Sequence, residues 1–187
     1  MPWILLFAVV CLVAAADCDS APPPQISGAG GLVVVTYDSS FEDNLFDDGR
    51  SEAEAIREAV HFWNVLGANL RTPDEAPGVK PSFEIKRDTF SWPGSNTSGI
   101  CWPGLGYITL YPNDMRGEGA YRYTRFRNNA AHELGHALGL SHVGSTADKP
   151  DGWAVMSPDV SWGGPQPTDV DAREFHRVWP APARLDL

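Results

Sequence analysis

Residues 131–142 read AHELGHALGLSH and contain the pattern H-E-x-x-H-x-x-G-x-x-H. Its five fixed positions are His132, Glu133, His136, Gly139 and His142. With five histidines and 18 glycines in 187 residues, random placement gives this pattern roughly once or twice in 10^5 such chains. The pattern is therefore the most informative feature of the sequence.

The spacing predicts a metal site at the end of a helix. Residues four apart lie on one helical face, so His132 and His136 can direct their imidazoles at one ion. Glu133, on an adjacent face, can reach a water at that ion without ligating it. Gly139 favours the left-handed conformation that ends a helix, and the turn would return His142 as a third ligand. Three neutral nitrogens with an open fourth position are typical of catalytic zinc. A core helix with merely hydrogen-bonded histidines would leave Gly139 and His142 unexplained.

This motif, followed by Met156, resembles that of the metzincin clan of zinc endopeptidases. AVMSP, residues 154–158, is similar to the Met-turn of the clan, which lies beneath the metal. Pro158 stands where astacin-like and serralysin-like members have a tyrosine ligand, and Val143 follows the third histidine where reprolysins have an aspartate. The matrixin-like branch, which includes the catalytic domains of matrix metalloproteinases, fits best.

The resemblance implies an α+β fold, a metzincin-like zincin domain. Its parts would be a twisted mixed sheet, a backing helix, an active-site helix and a carboxy-terminal helix after the Met-turn. By the same resemblance His132, His136 and His142 bind Zn²⁺, Glu133 is the catalytic general base and Met156 supports the histidines.

Further residue roles follow from the resemblance alone. In matrixin-like enzymes the position one turn before the first ligand lies near the floor of the specificity pocket, which suggests Asn128 as a pocket residue. The residues after the Met-turn methionine form the pocket's outer wall, here beginning with Ser157 and Pro158. An acidic residue near the start of the last helix binds beneath the Met-turn, and Asp171 is the candidate.

One catalytic zinc ion is the predicted cofactor. The second zinc site of matrixins draws on several histidines, and only His61 and His176 remain outside the motif, so we expect that site to be missing. Calcium could bind the carboxylates of the acidic segment 41–49, but no calcium-loop signature is present and a solvated charged loop is the favoured interpretation.

The rest of the composition predicts an exported single-domain protein. Residues 1–16 are apolar and end in small residues, as in a signal peptide, and the apolar run is too short to span a bilayer. Residues 17–30 form a flexible leader or a very short pro-segment, and residues 31–187 form the catalytic domain. The net charge of −10 argues against nucleic-acid binding. We expect a secreted monomer without a transmembrane span.

Two cysteines lie outside the signal segment, and three interpretations of them stay open. Cys18 and Cys101 could form a disulfide that ties the leader to the domain. Cys18 could instead carry a lipid anchor at the cell surface, although Asp17 before it fits a lipid-attachment signal poorly. Asp17, Cys18 or Asp19 could also occupy the open zinc position as a latch.

The predicted elements follow the order of a matrixin-like domain. Strands are expected over 31–38, 81–88 and 106–114. Residues 89–105 are loop-rich with a short SGICW core, and the resemblance implies that this region supplies the edge strand of the sheet. Ser51 and Glu54 form a capping box before an amphipathic helix, and Thr168 and Asp171 form another before the closing helix. Thr124 is the candidate cap of the active-site helix.

The function implied is secreted, zinc-dependent hydrolysis of internal peptide bonds in proteins or peptides. Two alternatives remain. One is a non-catalytic exported peptide-binding module of the same fold, which intact Glu133 opposes. The other is a metal-dependent hydrolase of a different acyl substrate, since an open zinc site does not specify the acyl group.

Overall fold

A five-stranded sheet and four helices make up the described part of the chain. The computed structural model describes residues 31–89, 98–114, 119–143, 154–158 and 166–180. The strands are β1 (Val33–Tyr37), β2 (Leu70–Arg71), β3 (Phe83–Arg87), β4 (Gly99–Trp102) and β5 (Tyr107–Leu110). The helices are α1 (Ser40–Asp43), α2 (Glu52–Asn64), α3 (Gly119–Ala137) and α4 (Asp169–Val178), with short 3-10 helices at Pro103–Leu105 and Pro112–Asp114.

The sheet is mixed, with strand order β2-β1-β3-β5-β4. Three pairings are parallel, and only β4 runs antiparallel to its neighbour β5. Ile85 of β3 and Cys101 of β4 both pair with Ile108 of β5, and these three residues enter the core below the sheet. The α+β architecture expected from the resemblance is confirmed, and β4 lies at one edge of the sheet.

Helix α2 backs the sheet, as its apolar spacing predicts. The Ser51 side chain accepts a hydrogen bond from the Glu54 amide at 3.0 Å and so caps the first turn. Ala55, Ile56 and Ala59 are fully buried. The helix begins against the sheet, because the buried Glu52 carboxylate pairs with the Arg87 guanidinium of β3 at 2.9 Å.

Trp63, near the end of α2, joins the backing helix to the active-site helix and to the carboxy-terminal helix. Its indole Nε1–H donates to the carbonyl of Ala131 in α3 at 2.7 Å. Its ring stacks on Phe175 of α4, with ring centroids 6.0 Å apart. Trp63 is fully buried, so its large apolar surface and its polar N–H are both satisfied in the core.

Three local predictions from the sequence were wrong. The strand expected over 106–114 ends at Leu110, because Pro112–Asp114 form a 3-10 helix. Residues 40–43 lie in a helical turn rather than in the acidic loop, because the Ser40 amide bonds the Asp38 carboxylate at 2.7 Å and Phe41 is buried. Helix α3 begins at Gly119 and not at Thr124. The additional turn is held by tertiary packing, since Tyr123 is buried with the Arg50 guanidinium 3.3 Å above its ring.

Several expectations fall outside the described residues. These are the signal peptide (1–16), the leader with Cys18 (17–30) and most of the segment between His142 and the Met-turn (144–153). Within the described ranges, no helix combines the length and apolar character needed to cross a membrane.

The packing around Gly135 of α3 generates a stability prediction. A Cβ at this position would lie 2.8 Å from Cζ2 of Trp63 and would also meet the Met156 thioether. A Gly→Ala change within a helix ordinarily stabilises the protein, whereas forced overpacking costs about 1–3 kcal/mol. We expect Gly135→Ala to lower the free energy of unfolding of the zinc-loaded protein, as measured by urea denaturation.

Gly104→Ala is the matched control, because a Cβ there would meet no atom within 4 Å. It should leave the free energy of unfolding close to that of the wild type. A Gly135→Ala protein as stable as the wild type would contradict the packing described around Trp63 and Met156.

Candidate active site

Helix α3 ends in a turn that carries the third histidine back towards the first two. Gly139 has φ of 84°. Its amide bonds the His136 carbonyl at 2.9 Å, and the Leu140 amide bonds the Gly135 carbonyl at 3.0 Å. These two bonds form a Schellman motif, which needs a residue in the left-handed conformation that glycine adopts without strain. The chain therefore reverses three residues before His142.

Three imidazoles converge at this helix end. The Nε2 atoms of His132 and His136 are 3.0 Å apart, those of His132 and His142 are 3.1 Å apart, and those of His136 and His142 are 3.2 Å apart. His132 and His136 are buried, while His142 is exposed. The site is thus closed on the protein side and reachable from solvent beside His142.

Backbone carbonyls fix the two helical imidazoles. Nδ1 of His132 lies 2.7 Å from the Val155 carbonyl, and Nδ1 of His136 lies 2.9 Å from the Leu140 carbonyl. A carbonyl only accepts, so each Nδ1 carries the proton and each Nε2 presents its lone pair to the centre. Burial, helped by the neighbouring His136, lowers the pKa of His132 to about 3. The imidazole therefore stays neutral, which is the form that binds metal.

Residues 154–158, the expected Met-turn, contact the site through backbone carbonyls. The Met156 carbonyl accepts a hydrogen bond from the Val143 amide at 2.9 Å. This bond anchors the segment that carries His142. Met156 itself is fully buried. The Asp171 carboxylate of α4 accepts the Met156 amide at 3.4 Å and also closes the Thr168 capping box. The contact that the resemblance implied for Asp171 is present.

The side chain of Glu133 extends from α3 towards the edge strand β4. The side chain is 5% exposed, and burial raises the pKa of its carboxyl to about 8, while the Cys101 amide donates to the carboxylate and opposes that rise. A carboxyl with a pKa near neutrality can both accept and return a proton. As the residue after His132, Glu133 leaves the helix on an adjacent face, where it meets Gly99 of β4.

Asn129, whose side chain joins the active-site helix to the start of β4, was not identified from the sequence. It lies one turn before Glu133, and its Nδ2 donates to the Ser98 carbonyl at 2.7 Å, while the Ser98 hydroxyl donates to its Oδ1 at 3.1 Å. Ser98 is 31 residues away in sequence. No spacing rule links the two, although a second polar residue before the motif was a visible signal.

The residues suggested for the specificity pocket differ in burial. Asn128 is fully buried, and its Oδ1 accepts the Arg127 guanidinium at 2.7 Å. Ser157 is buried in the Met-turn and Pro158 is exposed beside it. Cys101 is buried in β4, and because Cys18 lies outside the described residues, the disulfide between them stays a prediction.

The donor set fits zinc. Imidazole nitrogens bound tetrahedrally at 2.0–2.1 Å from zinc lie about 3.3 Å apart, close to the 3.0–3.2 Å separations of the three Nε2 atoms. Among the described residues, these three histidines form the cluster of metal-binding side chains whose ligand atoms lie within 4.8 Å of one another.

Comparison with known proteins identifies similar sequences over about half of the chain. Human matrix metalloproteinase-19 is 42% identical over 95 residues, which is 47% of this chain and 19% of the relative. The mouse protein of the same name is 38% identical over 96 residues, 47% of this chain and 18% of the relative. The matched region thus spans about a fifth of the length of these relatives. No protein-family model matches the chain.

Among solved structures, archaemetzincin from Methanopyrus kandleri aligns with a TM-score of 0.52 at 15% identity, over 81% of this chain and 98% of that one. At this identity the similarity concerns the fold. The chain therefore has a metzincin-like fold, and about half of its sequence resembles the matrix metalloproteinases, as the zinc motif predicted.

Proposed function

We propose that this chain is a zinc-dependent endopeptidase that hydrolyses internal peptide bonds of proteins. The observation that carries the proposal is the convergence of three Nε2 atoms within 3.2 Å of one another at the end of the helix that also bears Glu133. The sequence similarity to matrix metalloproteinases supports a peptidase over other hydrolases.

One zinc ion would be held by His132, His136 and His142. When bound there, the ion would supply Lewis-acid chemistry to the reaction. The protein provides backbone carbonyls that orient two of the rings, and the buried Met156 would support the histidines.

Glu133 would carry the protons of the reaction as general base and general acid. In hydrolysis the attacking water loses a proton as its oxygen bonds the peptide carbonyl carbon, and the leaving amine gains one as the carbon–nitrogen bond breaks. A single carboxylate can accept the first proton and deliver it to the amine, and the burial that raises the pKa of Glu133 favours the protonated form between the two transfers. The Cys101 amide restricts where that carboxylate lies.

A polypeptide substrate fits the position of the edge strand. β4 ends the sheet next to Glu133, and an extended peptide could add to such an edge through backbone hydrogen bonds. This mode of binding depends little on substrate sequence, so side-chain preference would come from a pocket that includes Asn128, Ser157 and Pro158. A binding module without catalysis would need neither Glu133 nor its burial.

The zinc site generates the first functional prediction. The chelator-treated protein should take up one zinc ion per chain, and His142→Ala should weaken zinc affinity by more than about 100-fold, because even loss of an outer-shell partner costs 10–100-fold. Competition with a fluorescent zinc chelator measures both quantities. His61→Ala, which removes an exposed histidine of α2, should bind zinc like the wild type; equal affinities in all three proteins would rule out the site.

Removal of the general base Glu133 generates the second functional prediction. Glu133→Ala should retain zinc but lose turnover by at least about 10²–10⁴-fold, the usual contribution of general acid–base catalysis. The substrate is a quenched peptide with acetylated and amidated ends, so that only internal cleavage is detected. Glu84→Ala, which removes an exposed carboxylate of β3, is the control.

The two outcomes separate the alternatives. Zinc-dependent cleavage that survives Glu133→Ala would eliminate the proposed mechanism. A zinc-loaded wild-type protein that binds peptides without cleaving them would indicate the binding module instead.

We also propose export, on the sequence alone. Residues 1–16 have the composition of a signal peptide. Expression in a secreting host should yield protein in the medium, and its intact mass should be that of a chain that begins at residue 17. The same spectrum would show a lipid on Cys18 or the loss of two hydrogens on forming a disulfide with Cys101, and retention of residues 1–16 in cell-associated protein would refute the assignment.

A further inference from the structure

We propose that Asn129 is a positioning residue for Glu133 and acts by holding strand β4 against the active-site helix. The inference rests on the proposed function, because it concerns the general base of that reaction. Asn129 is 3% exposed and lies one helical turn before Glu133, so both side chains leave α3 on the same side. The connection between them runs through strand β4.

The first part of the connection is a two-bond clamp on Ser98. The Asn129 amide donates to the Ser98 carbonyl at 2.7 Å and accepts from the Ser98 hydroxyl at 3.1 Å. The same Ser98 carbonyl accepts the Tyr111 amide just beyond β5 at 2.9 Å. One buried side chain therefore ties α3 to the point where β4 begins and β5 ends.

The second part is the close approach at Gly99. A Cβ on Gly99 would lie 2.7 Å from Nδ2 of Asn129, 2.8 Å from Cγ of Glu133 and 2.9 Å from Oε1 of Glu133. The strand backbone therefore rests directly on both side chains, and only glycine leaves room for them. A shift of β4 at this point would open or close the space that the Glu133 side chain fills.

The third part is the amide of Cys101, two residues further along β4, which donates to the Glu133 carboxylate. The clamp at Ser98 fixes where this amide lies, and the amide in turn restrains the carboxylate. Asn129 thus determines the position of the base without touching a substrate. Since displacement of a catalytic group by about 1 Å can cost about 100-fold in rate, the clamp should matter for turnover.

Asn129→Leu tests the inference, because leucine has a similar volume and can make neither hydrogen bond. We expect kcat on the blocked peptide to fall about 10- to 100-fold, with one zinc bound per chain. Hydrogen exchange of the backbone amides in residues 98–102 should accelerate, which is a readout independent of catalysis. Asn113→Leu is the matched control, because it removes a single hydrogen bond to the Thr89 carbonyl at an exposed position and should leave kcat unchanged.

Two further variants should lower kcat to different extents. Ser98→Ala removes one of the two clamp bonds and should lower kcat by a smaller factor than Asn129→Leu. Gly99→Ala should lower kcat by crowding Glu133, while Gly104→Ala, which has open space around it, should not. If Asn129→Leu fails to fold, Ser98→Ala and Gly99→Ala decide the question.

A double-mutant comparison separates positioning from a general structural role. In a Glu133→Asp background, whose shorter side chain no longer fills the space beside Gly99, Asn129→Leu should lower kcat by less than about threefold, because residues that act through one another are not additive. An equal factor in both backgrounds would overturn the inference. So would an Asn129→Leu protein with wild-type kcat, or with unchanged exchange at 98–102.

These results are distinguishable from failure of the proposed function. Loss of turnover in Glu133→Ala together with normal turnover in Asn129→Leu would reject the clamp and leave the endopeptidase proposal standing. Full activity in Glu133→Ala, or none in the zinc-loaded wild type, would reject both.

Discussion

The left-handed conformation at Gly139 is the constraint on which the site depends. A helix can present two imidazoles four residues apart, but it cannot present a third to the same point. The Schellman motif at Gly139 ends α3 and reverses the chain, so that His142 arrives within 3.2 Å of the other two Nε2 atoms. A side chain at this φ of 84° would strain the backbone. Relief of that strain would displace His142.

The site is supported from below by packing that reaches across the whole domain. Trp63 donates to Ala131, stacks on Phe175 and leaves no space for a side chain at Gly135. Met156 fills the remaining volume and its neighbour Val155 orients His132. Because these contacts join α2, α3, the Met-turn and α4, the histidine geometry is a property of the core. The clamp from Asn129 supplies the corresponding support on the other side, where β4 covers Glu133.

Much of this arrangement could be predicted from the sequence because it is local. The zinc motif and the caps at Ser51 and Thr168 depend on spacings of fewer than about a dozen residues, where helix and turn geometry leave few alternatives, while the Met-turn followed from the resemblance. The α+β fold followed from the resemblance that the motif carries. The first turn of α3 was missed because the burial of Tyr123 against Arg50 is tertiary. Likewise, the pairing of Asn129 with Ser98 joins residues brought together only by the sheet edge.

Zinc K-edge X-ray absorption of the zinc-loaded protein measures the central claim most directly, because it counts the ligands of the ion. The account predicts three imidazoles with metal–nitrogen distances of about 2.0–2.1 Å. A fourth ligand of oxygen would indicate an open site, and one of sulfur would indicate that Cys18 closes it. A spectrum with two or fewer imidazoles would contradict the convergence of His132, His136 and His142 on one ion.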